Sequence, residues 1–273
     1  MRFVGQSTKA STPAALNMGA PMTAYLDIDG IPIRYRVAGV GKPVLLLHGW
    51  GASIDSMGLI FDDLATQYSV CAFDFPGHGK SGLPPTAWGV SDYAALVLRL
   101  MDTLSLQRPH IIGHSHGGRV TIKLAVLHPE RVDKIILVNS AGIRPPRPLK
   151  YYVRVLLAKI GTYLAKYCGT YGEQARSLIY AAVASRDYAN AGPLRQTLVK
   201  IVQEDLTPIL SQIQSSTLLI WGEDDRDTPV SLARVMRDLI PHAELIILKH
   251  AGHFSYIDQY GKFRLMVRRF LRQ

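Results

Sequence analysis

Gly113-His114-Ser115-His116-Gly117 is a G-x-S-x-G pentapeptide. It follows the apolar run Pro109–Ile112 and leads into a helix-period segment, Arg119–His128. A strand-to-helix turn this sharp needs small residues two before and two after the serine. Both are glycine here, and Gly118 allows a third close approach. Such a turn lifts a serine hydroxyl above a sheet at a helix N-terminus, where the dipole and free N–H groups favour a developing anion. Ser115 is therefore the candidate nucleophile. A serine needs a general base. Of nine histidines, His250 and His253 fall just after the last apolar run. His253 lies on the loop side of Ala251-Gly252, from which a base can reach over the nucleophile, so His253 is preferred to His250. His242 reads as a surface-loop residue and His128 as a helix-end residue. The base needs an orienting carboxylate. Trp221–Asp227 follows the apolar run Thr217–Ile220 and holds four acids, Glu223, Asp224, Asp225 and Asp227, of which one or two are simply solvated.

Other reactive side chains have plainer readings. His114 and His116 flank Ser115, but alternate residues on a sharp turn point apart and no third ligand accompanies them, so no metal is expected. His78, in Pro76-Gly77-His78-Gly79, reads as a structural hydrogen-bonder, and Trp50 either lines a pocket or packs. Cys71 sits in an apolar run and reads as a small buried hydrophobe. With Cys168 it makes two cysteines, too few for a disulfide scaffold, which favours a reducing compartment.

The elements that must position these groups follow from patterning. Ala24–Asp29 and Ile31–Ala38 alternate apolar and polar residues around Asp29-Gly30, a hairpin signal. Val44–Leu47, Val70–Phe73, Ile111–Ile112 and Ile135–Val138 are short unalternating apolar runs, as in parallel strands buried on both faces. Helix-period segments separate them: Ile54–Gln67, Ser91–Leu106 and Arg119–His128. Ser91 or Asp92 is the expected cap of the second, with Ala95, Leu98, Met101 and Asp102 three or four residues apart. The alternation stops at Asn139–Gly142, and Arg144–Pro208 reads as helical: Leu149–Tyr167, Glu173–Ser185 and Leu194–Leu206. Thr217–Trp221 and Ala243–Leu248 resume the strands around the helical Val230–Ile240, and Phe263–Leu271 closes the chain. Strands alternating with helices imply an α/β sheet with right-handed crossovers.

The chain has 273 residues, 48% of them hydrophobic and 19% charged, enough for a sizeable core without disulfides or metals. Residues 1–23 are small, polar and punctuated by Pro and Gly, and read as a mobile extension rather than a secretory signal. No apolar run approaches ~18 residues, so no stable membrane insertion is expected, and the location expected is cytoplasmic. The net charge of +10 comes without a basic run or a nucleic-acid motif, so no nucleic-acid partner is expected. Arg144–Asp205 holds ten Lys/Arg against four Asp/Glu, six of the chain's net positive charges, and seven of its thirteen tyrosines. It reads as an amphipathic helical lid with snorkelling basic residues, or as a cover that attracts anionic substrates.

The order Ser115, acid loop, His253 and the motifs around it resemble the α/β-hydrolase superfamily. The resemblance runs from Ala24 to the C-terminus on four markers: His48-Gly49-Trp50-Gly51, Asp74–Ser81, Gly113–Gly118, and Trp221–Pro229 with Ala251-Gly252-His253. It implies a mostly parallel eight-stranded sheet with an N-terminal antiparallel hairpin. The core would be residues 24–143 and 209–273, with a helical lid inserted at 144–208. It implies that Asp225 is the acid, three residues after the glycine of the Trp-Gly pair. It implies that the backbone N–H groups of Trp50 and His116 form the oxyanion hole, with no cofactor.

Within the superfamily, His48–Gly51 resembles carboxylesterases that cleave pimeloyl-carrier-protein methyl ester. The layout also resembles the meta-cleavage-product C–C hydrolases. Those typically carry a longer Gly/Pro-rich oxyanion loop, an asparagine before the serine and a tryptophan after the histidine. The corresponding residues here are Trp50, His114 and Phe254. The expectation is a serine carboxylesterase acting on a small-molecule ester through Ser115, Asp225 and His253, as a monomer or homodimer. The alternatives are C–C hydrolysis of a vinylogous diketone with the same triad, or a ligand-binding receptor on a hydrolase fold.

Overall fold

The computed structural model describes residues 21–144 and 186–273, with Leu156, Ile160, Gly161 and Tyr163 between them. The expected extension therefore lies almost wholly outside the described residues. So do the expected lid helices Leu149–Tyr167 and Glu173–Ser185, apart from those four positions.

Eight strands form one sheet: β1 (Met22–Ile28), β2 (Ile31–Ala38), β3 (Pro43–Leu47), β4 (Ser69–Phe73), β5 (His110–His114), β6 (Lys134–Val138), β7 (Ser216–Gly222) and β8 (Ala243–Leu248). Their order is β1-β2-β4-β3-β5-β6-β7-β8. β1 and β2 pair antiparallel, as do β2 and β4; every later pair is parallel. Asp29 and Gly30 turn the first hairpin with positive φ, 54° and 79°. β1 begins two residues before the expected Ala24, because Met22 and Thr23 pair with Val37 and Arg36.

The apolar runs split by parity, as successive strand residues point to opposite faces. Leu45, Leu47, Phe73, Ile111, Leu137 and Leu219 enter one core, beneath α2 (Val90–Thr103), α3 (His116–Leu127) and α6 (Val230–Leu239). Val44, Leu46, Val70, Ile112, Ile136 and Leu218 enter the other, beneath α1 (Gly58–Leu64) and the C-terminal α8 (Tyr260–Arg272). A run buried on both faces shows no alternation, which is why these strands read as they do in sequence.

α2 differs in detail from its expectation. Its N-cap is Gly89, whose N–H donates to Asp92 Oδ2 at 2.7 Å, so Asp92 stands in the first turn. Its buried face is Tyr93, Ala94, Val97, Leu100 and Met101; Asp102 is exposed. The polar residues Ser91, Asp92, Arg99, Asp102 and Thr103 cluster on one side of the helix, and the opposite side is the buried one. Beyond β6, the described chain resumes with α4 (Arg186–Asn190) and α5 (Arg195–Gln203); α7 (Ser255–Asp258) follows β8. No helix among the described residues is long and apolar enough to cross a membrane.

Candidate active site

Ser115 sits between β5 and α3 with φ 51° and ψ −111°. Left-handed φ strains a residue that carries a Cβ. The turn is held by its backbone: Ser115 N–H donates to Val138 O at 3.0 Å, and Ser115 O accepts from Arg119 N and Ala141 N at 3.1 and 3.0 Å. The flanking glycines are required by close approach. A Cβ on Gly117 would lie 2.1 Å from Leu47 O, and one on Gly113 would lie 2.5 Å from Thr121 Oγ1. The strand and helix meet too closely for any side chain, which leaves Ser115 at the rim of the sheet.

His253 follows β8 and Asp225 follows β7. The Asp225 oxygens lie 3.0 and 3.1 Å from His253 Nδ1. The two loops meet because β7 ends on Gly222, where a Cβ would lie 2.1 Å from Gly252 O. Asp225 is buried and densely hydrogen-bonded. Thr228 Oγ1 donates to Oδ2 at 2.7 Å and Asn139 Nδ2 at 2.6 Å, while the N–H groups of Asp227 and Thr228 donate to Oδ1 at 2.9 and 3.0 Å. Burial alone would raise this carboxyl; the bonds with His253, Thr228 and Asn139 outweigh it and hold it at about 2. His250, by contrast, lies exposed in the turn after β8 with φ 57°. Asp224 and Glu223 are exposed.

Asn139 and Thr228 gave no signal in the sequence, yet Asn139 ties three strand ends together. It is fully buried with φ 44°. Its N–H donates to Ile220 O at 3.0 Å, and its carbonyl lies 3.1 Å from Thr228 Oγ1. Its side-chain oxygen accepts from Ser255 Oγ.

His48, after β3, fixes the next loop. Its Nδ1 lies 2.7 Å from Gly49 O, and its Nε2 accepts from Phe75 N–H at 2.9 Å. Burial, reinforced by His78, lowers His48 to about 3, so the ring is neutral. It thereby locks Gly49-Trp50 to the Asp74–Ser81 loop. Asp74 Oδ1 accepts from Ile54 N–H at 2.6 Å and Oδ2 from Lys80 N–H at 2.8 Å. Among the described residues, the N–H groups of Trp50 and His116 donate to no backbone carbonyl.

The two histidines beside Ser115 diverge. His114 Nε2 donates to the carbonyl of His253 at 2.9 Å, and the two rings are 4.9 Å apart. Burial and the neighbouring His253 lower His114 to about 3. His116 lies among aromatic rings, 4.9 Å from Tyr93 and 5.3 Å from Phe75, and burial drives it well below the usual histidine range. They do not converge on an ion. Asp225, Asp227 and His253 are the one trio among the described residues whose ligand atoms lie within 4.8 Å of one another. Four protein donors besides His253 already engage the Asp225 oxygens.

A cavity of about 670 Å³ opens over Ser115 and His253. Trp50, His116 and Phe254 border it low down; Ile143, Leu198, Ile201 and Leu232 give it an apolar wall. Arg119, on α3, lines it too. Its Nη1 donates to Ile201 O and Glu204 O at 2.5 and 2.6 Å, which caps the C-terminal end of α5.

The alpha/beta hydrolase fold family model matches residues 42–260. The chain belongs to that family. Similar curated proteins include a dihydrolipoyllysine-residue acetyltransferase component of an acetoin cleaving system from Cupriavidus necator, 28% identical, with 90% of this chain and 68% of that protein covered. A 2-hydroxy-6-oxo-6-phenylhexa-2,4-dienoate hydrolase from Comamonas testosteroni is 26% identical over 90% of this chain and 93% of its own length. Among solved structures, a bacterial membrane phospholipase A superposes with a TM-score of 0.74 at 26% identity, over 92% of this chain and 86% of that one. As a member of this family, the chain carries a mostly parallel eight-stranded sheet, with Ser115, Asp225 and His253 in the segments that follow β5, β7 and β8.

Proposed function

We propose that the protein is a serine hydrolase that cleaves carboxylic esters through an acyl-enzyme on Ser115. The observation that carries the reading is that the strained Ser115 turn and His253, itself paired with Asp225, border one cavity. Ser115 Oγ attacks the ester carbon while His253 Nε2 takes its proton, then returns it to the leaving alcohol. Asp225 holds Nδ1–H, which fixes the tautomer and stabilises the imidazolium. The backbone N–H groups of Trp50 and His116 receive the oxyanion. Water then hydrolyses the acyl-enzyme by the same route reversed. No cofactor takes part in these steps.

C–C hydrolysis of a vinylogous diketone is the second reading, favoured by the similarity to the dienoate hydrolase. That substrate must gain a proton at carbon before its leaving group departs, and it needs polar groups beyond the triad to hold a dienolate and its carboxylate. The position before the serine is taken by His114, whose Nε2–H is already given to the His253 carbonyl. An ester needs only an alkoxide that His253 protonates directly, which favours the first reading. The test compares kcat/KM for a short p-nitrophenyl ester with that for a 2-hydroxy-6-oxo-dienoate. The ester is expected to be the better substrate; a clear preference for the dienoate would replace this reading with the second and keep the triad.

A further inference from the structure

His114 is a buried imidazole directly before the nucleophile. Gly49 packs against it so closely that a Cβ there would lie 2.9 Å from His114 Nδ1. The rings of Phe254 and Tyr256 each stand 5.1 Å away. A carbonyl oxygen can only accept, so the hydrogen in the 2.9 Å bond to His253 O is on His114 Nε2. Burial keeps the ring neutral, which leaves Nδ1 a bare acceptor. That Nδ1 is sealed and has no hydrogen-bond partner among the described residues.

Packing alone does not account for this ring. An apolar side chain of the same shape would fill the space without burying an unpaired acceptor, which is unfavourable. Among the described residues, the one hydrogen bond that the imidazole makes is the one to the His253 main chain.

That bond ties the base to the nucleophile by a short covalent route. The Ser115 backbone is fixed by Val138, Arg119 and Ala141, so the residue joined to it by one peptide bond is anchored as well. The other contacts of the His253 loop hold it from elsewhere. Gly252 N–H donates to Asp258 Oδ2 at 2.7 Å, and Gly252 O accepts from Asn139 Nδ2 at 3.3 Å. Asp225 grips the His253 ring at Nδ1. Of these contacts, only the His114 bond reaches β5, the strand that leads into Ser115.

We infer that His114 is a positioning residue: its Nε2–H holds the His253 main chain where the imidazole can reach Ser115 Oγ. The inference rests on the reading of Ser115 as nucleophile and His253 as base. A displacement of ~1 Å between reacting groups costs about 10²-fold in rate, so the bond acts on kcat and leaves substrate binding alone.

The test uses two kinds of replacement. His114→Phe keeps a flat ring and removes the donor; His114→Gln returns an amide N–H close to the place of Nε2–H. Proton NMR of the unliganded protein follows the His253 Nδ1–H, identified by its absence from His253→Ala. In His114→Phe that proton should exchange with solvent at least about tenfold faster, as in a loop that opens more often, and in His114→Gln it should stay protected. With a p-nitrophenyl ester, His114→Phe should lower kcat by about 10- to 100-fold with KM changed by less than about twofold, and His114→Gln should recover kcat to within about fivefold. His114→Leu, which is smaller, is measured beside His114→Phe and should match it, and thermal unfolding shows that each protein is folded. An unchanged His253 proton in both apolar variants, or a kcat loss that His114→Gln does not recover, overturns the inference. If the proton behaves as expected while the unmodified protein hydrolyses no ester, the esterase reading fails and the positioning of His253 stands.

Discussion

At the scale of single residues, the site is a hydrogen-bonded pair, His253 and Asp225, whose geometry is set by its neighbours. Asp225 is held at about 2 against its burial, so its carboxylate stays ionised far below neutral pH. Replacing Asn139 with Leu removes a donor to that carboxylate and leaves Ser255 Oγ without its acceptor. The Asp225 carboxyl should then rise toward its unfolded value near ~4. The sign follows from linkage: a depressed carboxyl stabilises the fold above about pH 4, and this is lost as pH falls toward 2. With the folded value raised, the contribution shrinks and acid unfolding should begin at higher pH; an unchanged acid transition in Asn139→Leu would refute the role. Within the acid loop, Asp225→Asn should lower kcat by about 10⁴-fold, the scale of a lost triad aspartate. Asp224→Asn and Asp227→Asn should each change it by less than about tenfold, since Asp224 is exposed and Asp227 contributes its N–H, not its side chain, to Asp225. The placement of Ser115 after β5 and of His253 after β8 was legible in the sequence because a pentapeptide and a loop position carry them. Asn139 was not: an asparagine after an apolar strand is ordinary, and only the convergence of β6, β7 and β8 makes it a hub.

At the scale of elements, the elbow depends on contact between backbones. Gly117→Ala would put a Cβ 2.1 Å from Leu47 O, and a strand carbonyl in the middle of the sheet has nowhere to move. Thermal unfolding should register a loss of about 1–3 kcal/mol or more, with activity falling as β5 and α3 are forced apart. Gly58→Ala, where a Cβ meets nothing, is the control and should be close to neutral. Arg119 links α3 to α5 through two carbonyls at the helix's end. Arg119→Met keeps the apolar stem and removes both bonds, so amide exchange over Arg195–Gln203 should accelerate at least about tenfold while α3 stays protected. The strands were readable because a doubly covered strand is an uninterrupted apolar run. The cap and buried face of α2 were not: the expected set included the exposed Asp102 and the half-buried Ala95 and Leu98, whereas the buried face lies opposite the polar cluster of Ser91, Asp92, Arg99, Asp102 and Thr103.

At the scale of the molecule, polar groups are sealed into the boundary between the sheet and its loops. His48 and His114 are lowered to about 3 and His110 to about 4, in each case chiefly by burial. All three are neutral when folded and take up protons once unfolded, below about pH 6.5. Stability should therefore fall as pH drops from about 6.5 toward 4, where the unfolded chain binds more protons than the folded one. A melting temperature that stays flat from pH 7 to about 4.5 would mean that these rings are protonated in place. The fold class was legible as a whole because strand and helix patterns alternate over most of the chain. Of the Arg144–Pro208 stretch, expected to be helical and basic, α4 and α5 are described, and most of the rest lies outside the described residues.

The central claim is that chemistry passes through an acyl-enzyme on Ser115. Rapid quenching during hydrolysis of a p-nitrophenyl ester, followed by peptide mass spectrometry, tests it most directly. The account predicts an added acyl mass on the peptide containing Ser115, accumulating in His253→Ala protein if any turnover remains, and absent from Ser115→Ala protein, whose kcat should be about 10⁴-fold lower or less. An acyl mass on another residue, or a Ser115→Ala protein that retains its activity, would contradict it.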